Sequence, residues 1–272
     1  MRDVPPGELV LSDSQLDRYA RHIVLREVGG AGQAKLLRAK VLVVGAGGLG
    51  SPLVLYLAAA GVGTLGIVDF DAVSLSNLQR QIAHGTADIG RAKTDSAAAA
   101  VRALNPDVRV VPHRERLTAA NALALIERYD VVADGSDNFA TRFLVNDASF
   151  FARKVLVSAA VSQFDGQLAT YKAFAGAYPC YRCLYAAPPP PDAAPNCSEA
   201  GILGAAAGVM GTLQALEVMK EILGIGTTMA GRLLIYDALA TQVRTVRVPR
   251  DPACALCGDA PTIADLSMHA AA

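Results

Sequence analysis

The sequence predicts an α/β fold: a Rossmann-like doubly wound, mostly parallel sheet extended by antiparallel strands. Three observations carry the prediction. Between residues 39 and 161, short apolar runs alternate with helical segments, with no hairpin turn between them. Parallel strands need helical crossovers of this kind. The run "AKVLVVGAGGLG" leads an apolar strand straight into G-x-G-x-x-G. Beyond residue 162 the pattern changes to "GQLATYKAF" and "RLLIYDALATQVRTVRV", which read as antiparallel strands.

The elements follow in order. Residues 1–30 are expected to form an N-terminal helical segment, with 13–28 an amphipathic helix and its exit. A buried strand enters the glycine turn at 39–50, and a helix follows over 51–63. Ser51 can cap that helix, and Pro52 suits its first turn. "TLGIVDFD" (64–71) is a second apolar strand. A helix over 91–104 breaks at "NPD", and "VRVVPHRE" (108–115) alternates like a strand. A helix over about 118–128 precedes the strand "YDVVADGSDN" (129–138), which ends in a polar turn. Residues 139–153 are helical, and "KVLVSAAV" (154–161) is again a buried strand. The proline-rich stretch 186–196 reads as a loop. Residues 201–223 form the longest apolar stretch, but Gln214, Glu217, Lys220 and Glu221 interrupt it. What remains apolar is too short to span a bilayer, so a buried helix is expected. Residues 259–272 are expected as a C-terminal tail.

Of 272 residues, 52% are hydrophobic, enough for a large core. Lysine plus arginine equals aspartate plus glutamate at 25 each, which gives no general case for nucleic acid or an anionic membrane as partner. The first residues lack a basic head followed by an apolar run, so a soluble, cytoplasmic protein is expected.

In G-x-G-x-x-G, Gly45, Gly47 and Gly50 let the backbone approach phosphate at a helix N-terminus, and Gly48 lies in the same loop. The fingerprint does not name the nucleotide. Asp69 ends the second strand, where a carboxylate can accept ribose hydroxyls. Asp71 can do the same, help hold a metal, or be an exposed strand-end acid. Asn77, Arg80, Gln81 and Lys93 follow. Together they exceed what two phosphates need and suit a triphosphate. In "ADGSDN", Asp134 and Asp137 are candidates for Mg²⁺, an oxygen-seeking ion that bridges carboxylates to phosphates. Asp134 also fits an ordinary turn cap, so Asp137 is preferred. His22, His84, His113 and His269 are scattered and form no catalytic motif.

The five cysteines divide cleanly. Cys180-x-x-Cys183 and Cys254-x-x-Cys257 are matched pairs, the spacing of a tetrahedral Zn²⁺ site. With four thiolates the site would be structural, tying the chain end back to the crossover region. Redox chemistry at one pair is the rival. Cys197, in "PNCSEAG", is left over. It is either a small buried residue or a thiol activated at a helix N-terminus.

Taken together, "RYARHIVL", "VLVVGAGGLGSP", "DFDAVSLSNLQRQ", "GRAKTDSA", "GSDN", "PCYRCL", "NCSEAG" and "CALCG" resemble, in order, the MoeB/ThiF-type adenylyltransferases, bacterial relatives of ubiquitin-activating enzymes. The resemblance covers roughly residues 12–258. It implies one adenylation domain over 31–258, with a nucleotide-binding part at about 39–161 and a carrier-binding and zinc part at about 162–258. The implied reaction is ATP-dependent adenylation of the C-terminal glycine of a ubiquitin-like sulfur carrier ending in Gly-Gly, for molybdopterin, thiamin or related sulfur biosynthesis. The resemblance further implies Gly45, Gly47, Gly48 and Gly50 on the nucleotide loop and Asp69 at the ribose. Asn77, Arg80 and Lys93 fall at the phosphates, with Gln81 in the same motif, and Asp137 at magnesium. Arg21 matches an arginine that reaches the ATP site of a neighbouring subunit, implying a homodimer. Cys180, Cys183, Cys254 and Cys257 match structural zinc ligands. Cys197 matches a crossover-loop cysteine that links covalently to the carrier in some members. A separate sulfur donor is expected. Two other readings are an NAD-dependent oxidoreductase, from the glycine loop and Asp69, and a non-catalytic zinc-stabilised adaptor.

Overall fold

The computed structural model describes residues 11–189 and 201–270. Cys197 and residues 190–196 of the proline-rich stretch lie outside them. A single eight-stranded sheet has the order β3-β2-β1-β4-β5-β6-β7-β8. Strands β1 (Lys40–Val44), β2 (Thr64–Val68), β3 (Arg109–His113), β4 (Val131–Asp134) and β5 (Val155–Ser162) are parallel. Strands β6 (Asp165–Tyr171), β7 (Arg232–Asp237) and β8 (Gln242–Arg247) extend the sheet antiparallel. This is the doubly wound sheet with an antiparallel extension that the sequence predicts.

Strand alternation sets the layers. Val41, Val43, Leu65, Ile67 and Val157 pack with helices α3 (Gly29–Arg38), α4 (Gly50–Ala59), α5 (Lys93–Leu104) and α9 (Gly204–Leu223). Leu42, Val44, Val132 and Leu156 pack with α6 (Ala122–Ile126), α7 (Phe139–Phe151) and α8 (Tyr181–Leu184). Each large aliphatic chain fully buried this way contributes about 1.5–3 kcal/mol. Gln214 and Glu217 of α9 are buried and engaged. Gln214 Nε2 donates to the Asp134 and Val157 carbonyls at 2.8 and 3.0 Å. Glu217 accepts from Thr170 Oγ1 at 2.9 Å and Lys220 Nζ at 2.6 Å. The polar residues that interrupt the apolar stretch thus join α9 to the sheet. No described helix is long and apolar enough to cross a membrane.

Two local expectations are corrected. The helix expected over 13–28 is broken into α1 (Asp13–Arg18) and α2 (Ala20–Ile23). Tyr19 leaves helical geometry at φ −102°, ψ 13°. Its ring is buried against Gly61, and its hydroxyl accepts from Asn105 Nδ2 at 2.8 Å. Docking that ring outweighs continuing the helix. α3 was not legible because it opens on two glycines, poor helix formers. Ser51 does not cap α4. The N-cap position is Leu49, and Ser51 lies fully buried inside the first turn. The helix starts early because Gly50 packs directly on the glycine loop, where an added Cβ would stand 1.9 Å from the Gly45 carbonyl oxygen.

Candidate functional site

The strand order reverses between β1 and β4, and their following helices go to opposite faces of the sheet. A crevice opens at the carboxyl edge of the strands at such a point, where open α/β sheets bind ligands. Here it is a cleft of about 960 Å³, open mouth included. Gly45, Gly47, Gly48, Asp69, Asp71, Arg80, Gln81, Lys93 and Asp137 all line it.

Gly45 turns the chain at φ +89°, a conformation that glycine adopts without strain. Asp69 braces this turn. Its Oδ2 accepts from the Ala46 N–H and its Oδ1 from the Asp71 N–H, both at 2.8 Å. A carboxylate has about four acceptor positions, so two are left for a ligand. Asp71 is engaged by Lys93, whose Nζ lies 2.8 Å from Oδ2. Lys93 is only 6% exposed, and its backbone N–H also donates to the Asp71 carbonyl at 3.0 Å. Asp71 therefore holds the lysine at the cleft wall.

Arg80 donates from Nη1 to the Ser76 carbonyl at 3.0 Å, leaving the rest of its fork to the cleft. Gln81 is buried, and its Oε1 has no protein partner among the described residues. Asp137 is exposed at the cleft, with no side-chain hydrogen bond or ion pair among the described residues. Asp134 is fully buried and committed: it accepts from the Ser136 N–H at 2.9 Å and Ser158 Oγ at 3.1 Å. Of the two acids, only Asp137 is free to take a cation.

Three expected residues stand off the cleft. Gly50 packs beneath the loop. Asn77 accepts the Ser74 N–H at 3.2 Å and closes a short turn. Arg21 is exposed on α2 and has no partner among the described residues.

Further side chains build and support the cleft. Phe70, 54% exposed, carries the Arg116 guanidinium 3.8 Å above its ring, and both line the cleft. Arg142, buried below the cleft, donates to the Ala159 carbonyl at 2.9 Å and to the Ser136 carbonyl, gripping the turn that carries Asp137. His84 is buried between Ala46 and helix α5, and burial pushes its pKa down from the usual imidazole range.

The four cysteine sulfurs Cys180, Cys183, Cys254 and Cys257 converge, all within 4.8 Å of one another. Cys180–Cys254 and Cys183–Cys257 lie at 3.6 and 3.4 Å. Disulfide sulfurs would be about 2.05 Å apart. Tetrahedral zinc with Zn–S bonds of about 2.3 Å requires edges near 3.8 Å. The donor set fits that ion. Hydrogen bonding from Cys180 pushes the Cys183 thiol down, and the same contact pushes Cys180 up.

A second buried cluster lies beside it. Asp147, fully buried, takes Arg182 Nη2 at 2.7 Å, His269 Nε2 at 2.8 Å and Asn146 Nδ2 at 2.9 Å. His269 belongs to the tail expected over 259–272, and through it the described part of that tail docks against α7 and α8.

A profile described as the ThiF family matches residues 19–256. The chain is 52% identical over 270 residues to the Bos taurus "Adenylyltransferase and sulfurtransferase MOCS3", covering 97% of this chain and 59% of the bovine one. It thus spans less than two thirds of that relative. It is 50% identical over 255 residues to the Thermus thermophilus "Sulfur carrier protein adenylyltransferase", covering 93% of this chain and 94% of the relative. A similar fold is found in the crystal structure of E. coli MccB with ATP. That match has a TM-score of 0.77 at 21% identity, over 88% of this chain and 74% of the other.

Proposed function

Because this chain belongs to the ThiF family, we propose that it adenylates the C-terminal glycine carboxylate of a ubiquitin-like sulfur carrier at the expense of ATP. One observation carries the reading. Arg80, Lys93, Gln81 and Asp137 converge on the same cleft as the glycine loop and Asp69. Two phosphates are served by the loop and the helix terminus. The additional cations and the acid suit a triphosphate, and this argues against an NAD-dependent oxidoreductase. The Thermus relative's printed name supports the same reading.

The chemistry needs no general base. A terminal carboxylate ionises at about pH 3.5 and is already a nucleophile at neutral pH. Its oxygen forms a bond to the α-phosphorus, the bond from that phosphorus to the bridging oxygen breaks, and pyrophosphate leaves with the electron pair. The obstacle is repulsion between anions. Arg80 and Lys93 offset it and stabilise the departing group. Asp137 is the residue that would hold Mg²⁺, which supplies further charge neutralisation on the phosphates when bound. Asp69 would accept the ribose hydroxyls, and Phe70 and Leu117 offer apolar surface to the base. Arg21, exposed and not lining its own cleft, suits the cleft of a second copy in a homodimer. Cys180, Cys183, Cys254 and Cys257 would hold zinc for structure.

A partner surface adjoins the cleft. The β5–β6 turn exposes Phe164 and the β7–β8 turn exposes Leu239, and the Ala238 N–H donates to the Phe164 carbonyl at 2.9 Å. Leu203 is half exposed beside them, its N–H donating to the Gln163 carbonyl at 3.1 Å. Val161 and Ile202, their sequence neighbours, reach into the cleft. This apolar lip suits the carrier's body, with its tail directed at the nucleotide.

ATP–pyrophosphate exchange tests the proposal. With Mg²⁺ and a Gly-Gly-ended carrier, exchange is expected and depends on the carrier's terminal carboxylate. Absence of exchange across a panel of such carriers would refute it.

A further inference from the structure

The three groups that face the phosphates come from separate stretches of chain: the glycine loop, the segment bearing Arg80 and Gln81, and helix α5, which opens with Lys93. One side chain outside the cleft touches two of these stretches and belongs to the third. His84 follows Gln81 by one turn, and its own N–H donates to the Gln81 carbonyl at 3.0 Å. Its Nε2 lies 2.9 Å from the Ala46 carbonyl oxygen, and its Nδ1 lies 2.8 Å from Ser96 Oγ in α5. The carbonyl can only accept, so Nε2 carries the proton, and Nδ1 of the neutral ring takes the Ser96 hydroxyl.

Ala46 is the second residue of the glycine loop and 1% exposed. Its peptide N–H is held by Asp69 Oδ2 at 2.8 Å. Its carbonyl is held by His84. A buried carbonyl without a donor is costly, and no other donor reaches this one among the described residues. The orientation of the next peptide groups, those of Gly47 and Gly48, follows from how Ala46 is fixed. Those are the groups that turn toward phosphate at the start of α4.

We propose that His84 is a positioning residue for the nucleotide: its Nε2–H on the Ala46 carbonyl sets the glycine loop in register with Arg80, Gln81 and Lys93. The inference rests on the nucleotide reading of the cleft. It extends that reading to a residue that touches no ligand. The imidazole would order the loop before ATP arrives, so its loss should fall on nucleotide affinity more than on turnover once ATP is bound.

The test compares His84→Gln, His84→Asn and His84→Phe in the full chain. A glutamine amide reaches where Nε2 stands and can still donate to Ala46. An asparagine amide reaches only as far as Nδ1 and keeps the Ser96 side alone. Phenylalanine fills the space without either bond. The readouts are the affinity for a non-hydrolysable ATP analogue with Mg²⁺ by calorimetry, KM and kcat in pyrophosphate exchange, and melting temperature. His84→Asn and His84→Phe are expected to weaken nucleotide binding and raise KM for ATP about tenfold, with kcat changed less than about threefold. His84→Gln is expected to recover to within about threefold of the parent. If Phe proves too disruptive to fold, the Asn and Gln pair still decides. Equal affinity in the Asn and Gln variants, or loss of melting temperature with no change in affinity, would overturn the inference. A parent protein that binds no nucleotide would instead overturn the functional reading beneath it.

Discussion

Stripping the metal from the cysteine cluster should loosen the molecule by an amount the structure allows to be worked out. The paired sulfurs, Cys180 with Cys254 and Cys183 with Cys257, lie 74 positions apart in the chain. A cross-link closing a loop of that length removes chain entropy from the unfolded state worth about 4–5 kcal/mol. That is a large share of the roughly 5–15 kcal/mol by which domains are stable. At about 2–4 °C of melting temperature per kcal/mol for a chain of this size, release of the clamp should lower the transition by about 8–20 °C. The assay is calorimetry on protein loaded with one equivalent of zinc and on the same protein after chelation under reducing conditions, with metal content measured on both. None of the four cysteines lines the cleft, so the stripped protein should still bind nucleotide at low temperature. A fully metal-free chain that melts within about 3 °C of the loaded one would refute the clamp argument.

Other outcomes follow from the same geometry. Arg80→Ala should slow pyrophosphate exchange on the order of 10²-fold or more, since a preorganised cation at the leaving group is lost; an unchanged rate would remove Arg80 from the chemistry. Asp147→Ala strands the Arg182 guanidinium, 4% exposed, beside His269. Breaking such a buried pair costs about 3–5 kcal/mol, readable as a lower denaturant midpoint, and a loss under about 1 kcal/mol would contradict it. His84 and His113 are both pushed down by burial. Below about pH 6.5 the unfolded chain binds protons that the folded one resists. Their contribution is whole above that pH and declines as the pH falls toward the depressed folded values. Denaturant midpoints that stay level or rise from pH 7 to pH 5.5 would argue against this.

The nucleotide half of the fold was legible because its signals are local. Apolar strands such as Lys40–Val44 and the glycine turn behind them announce themselves within a dozen residues. The matched cysteine pairs were legible for the same reason. What stayed hidden depends on partners far along the chain. Asp71 looked open to several roles until folding set it against Lys93. Asp147, Arg182 and His269 meet across 35 and 122 positions. His84 has no motif because its partners are a backbone carbonyl and a serine, which leave no mark on spacing. Tyr19 broke an otherwise sound helical pattern because its ring has a slot against Gly61 that outweighs local propensity.

The uninterrupted sheet also acts as a ruler. From β1, which feeds the glycine loop, to β7, which leads to the Leu239 turn, there are four strand-to-strand steps. At about 4.8 Å each they amount to about 19 Å, held by backbone hydrogen bonds rather than by a hinge. A partner seated at the Leu239 end of the lip must cover that distance with free chain. At about 3.3–3.6 Å per extended residue, six residues are the least that will do. Selection among partners can therefore act through the length of tail each extends beyond its folded body, and a tail shortened by two residues should dock without reacting.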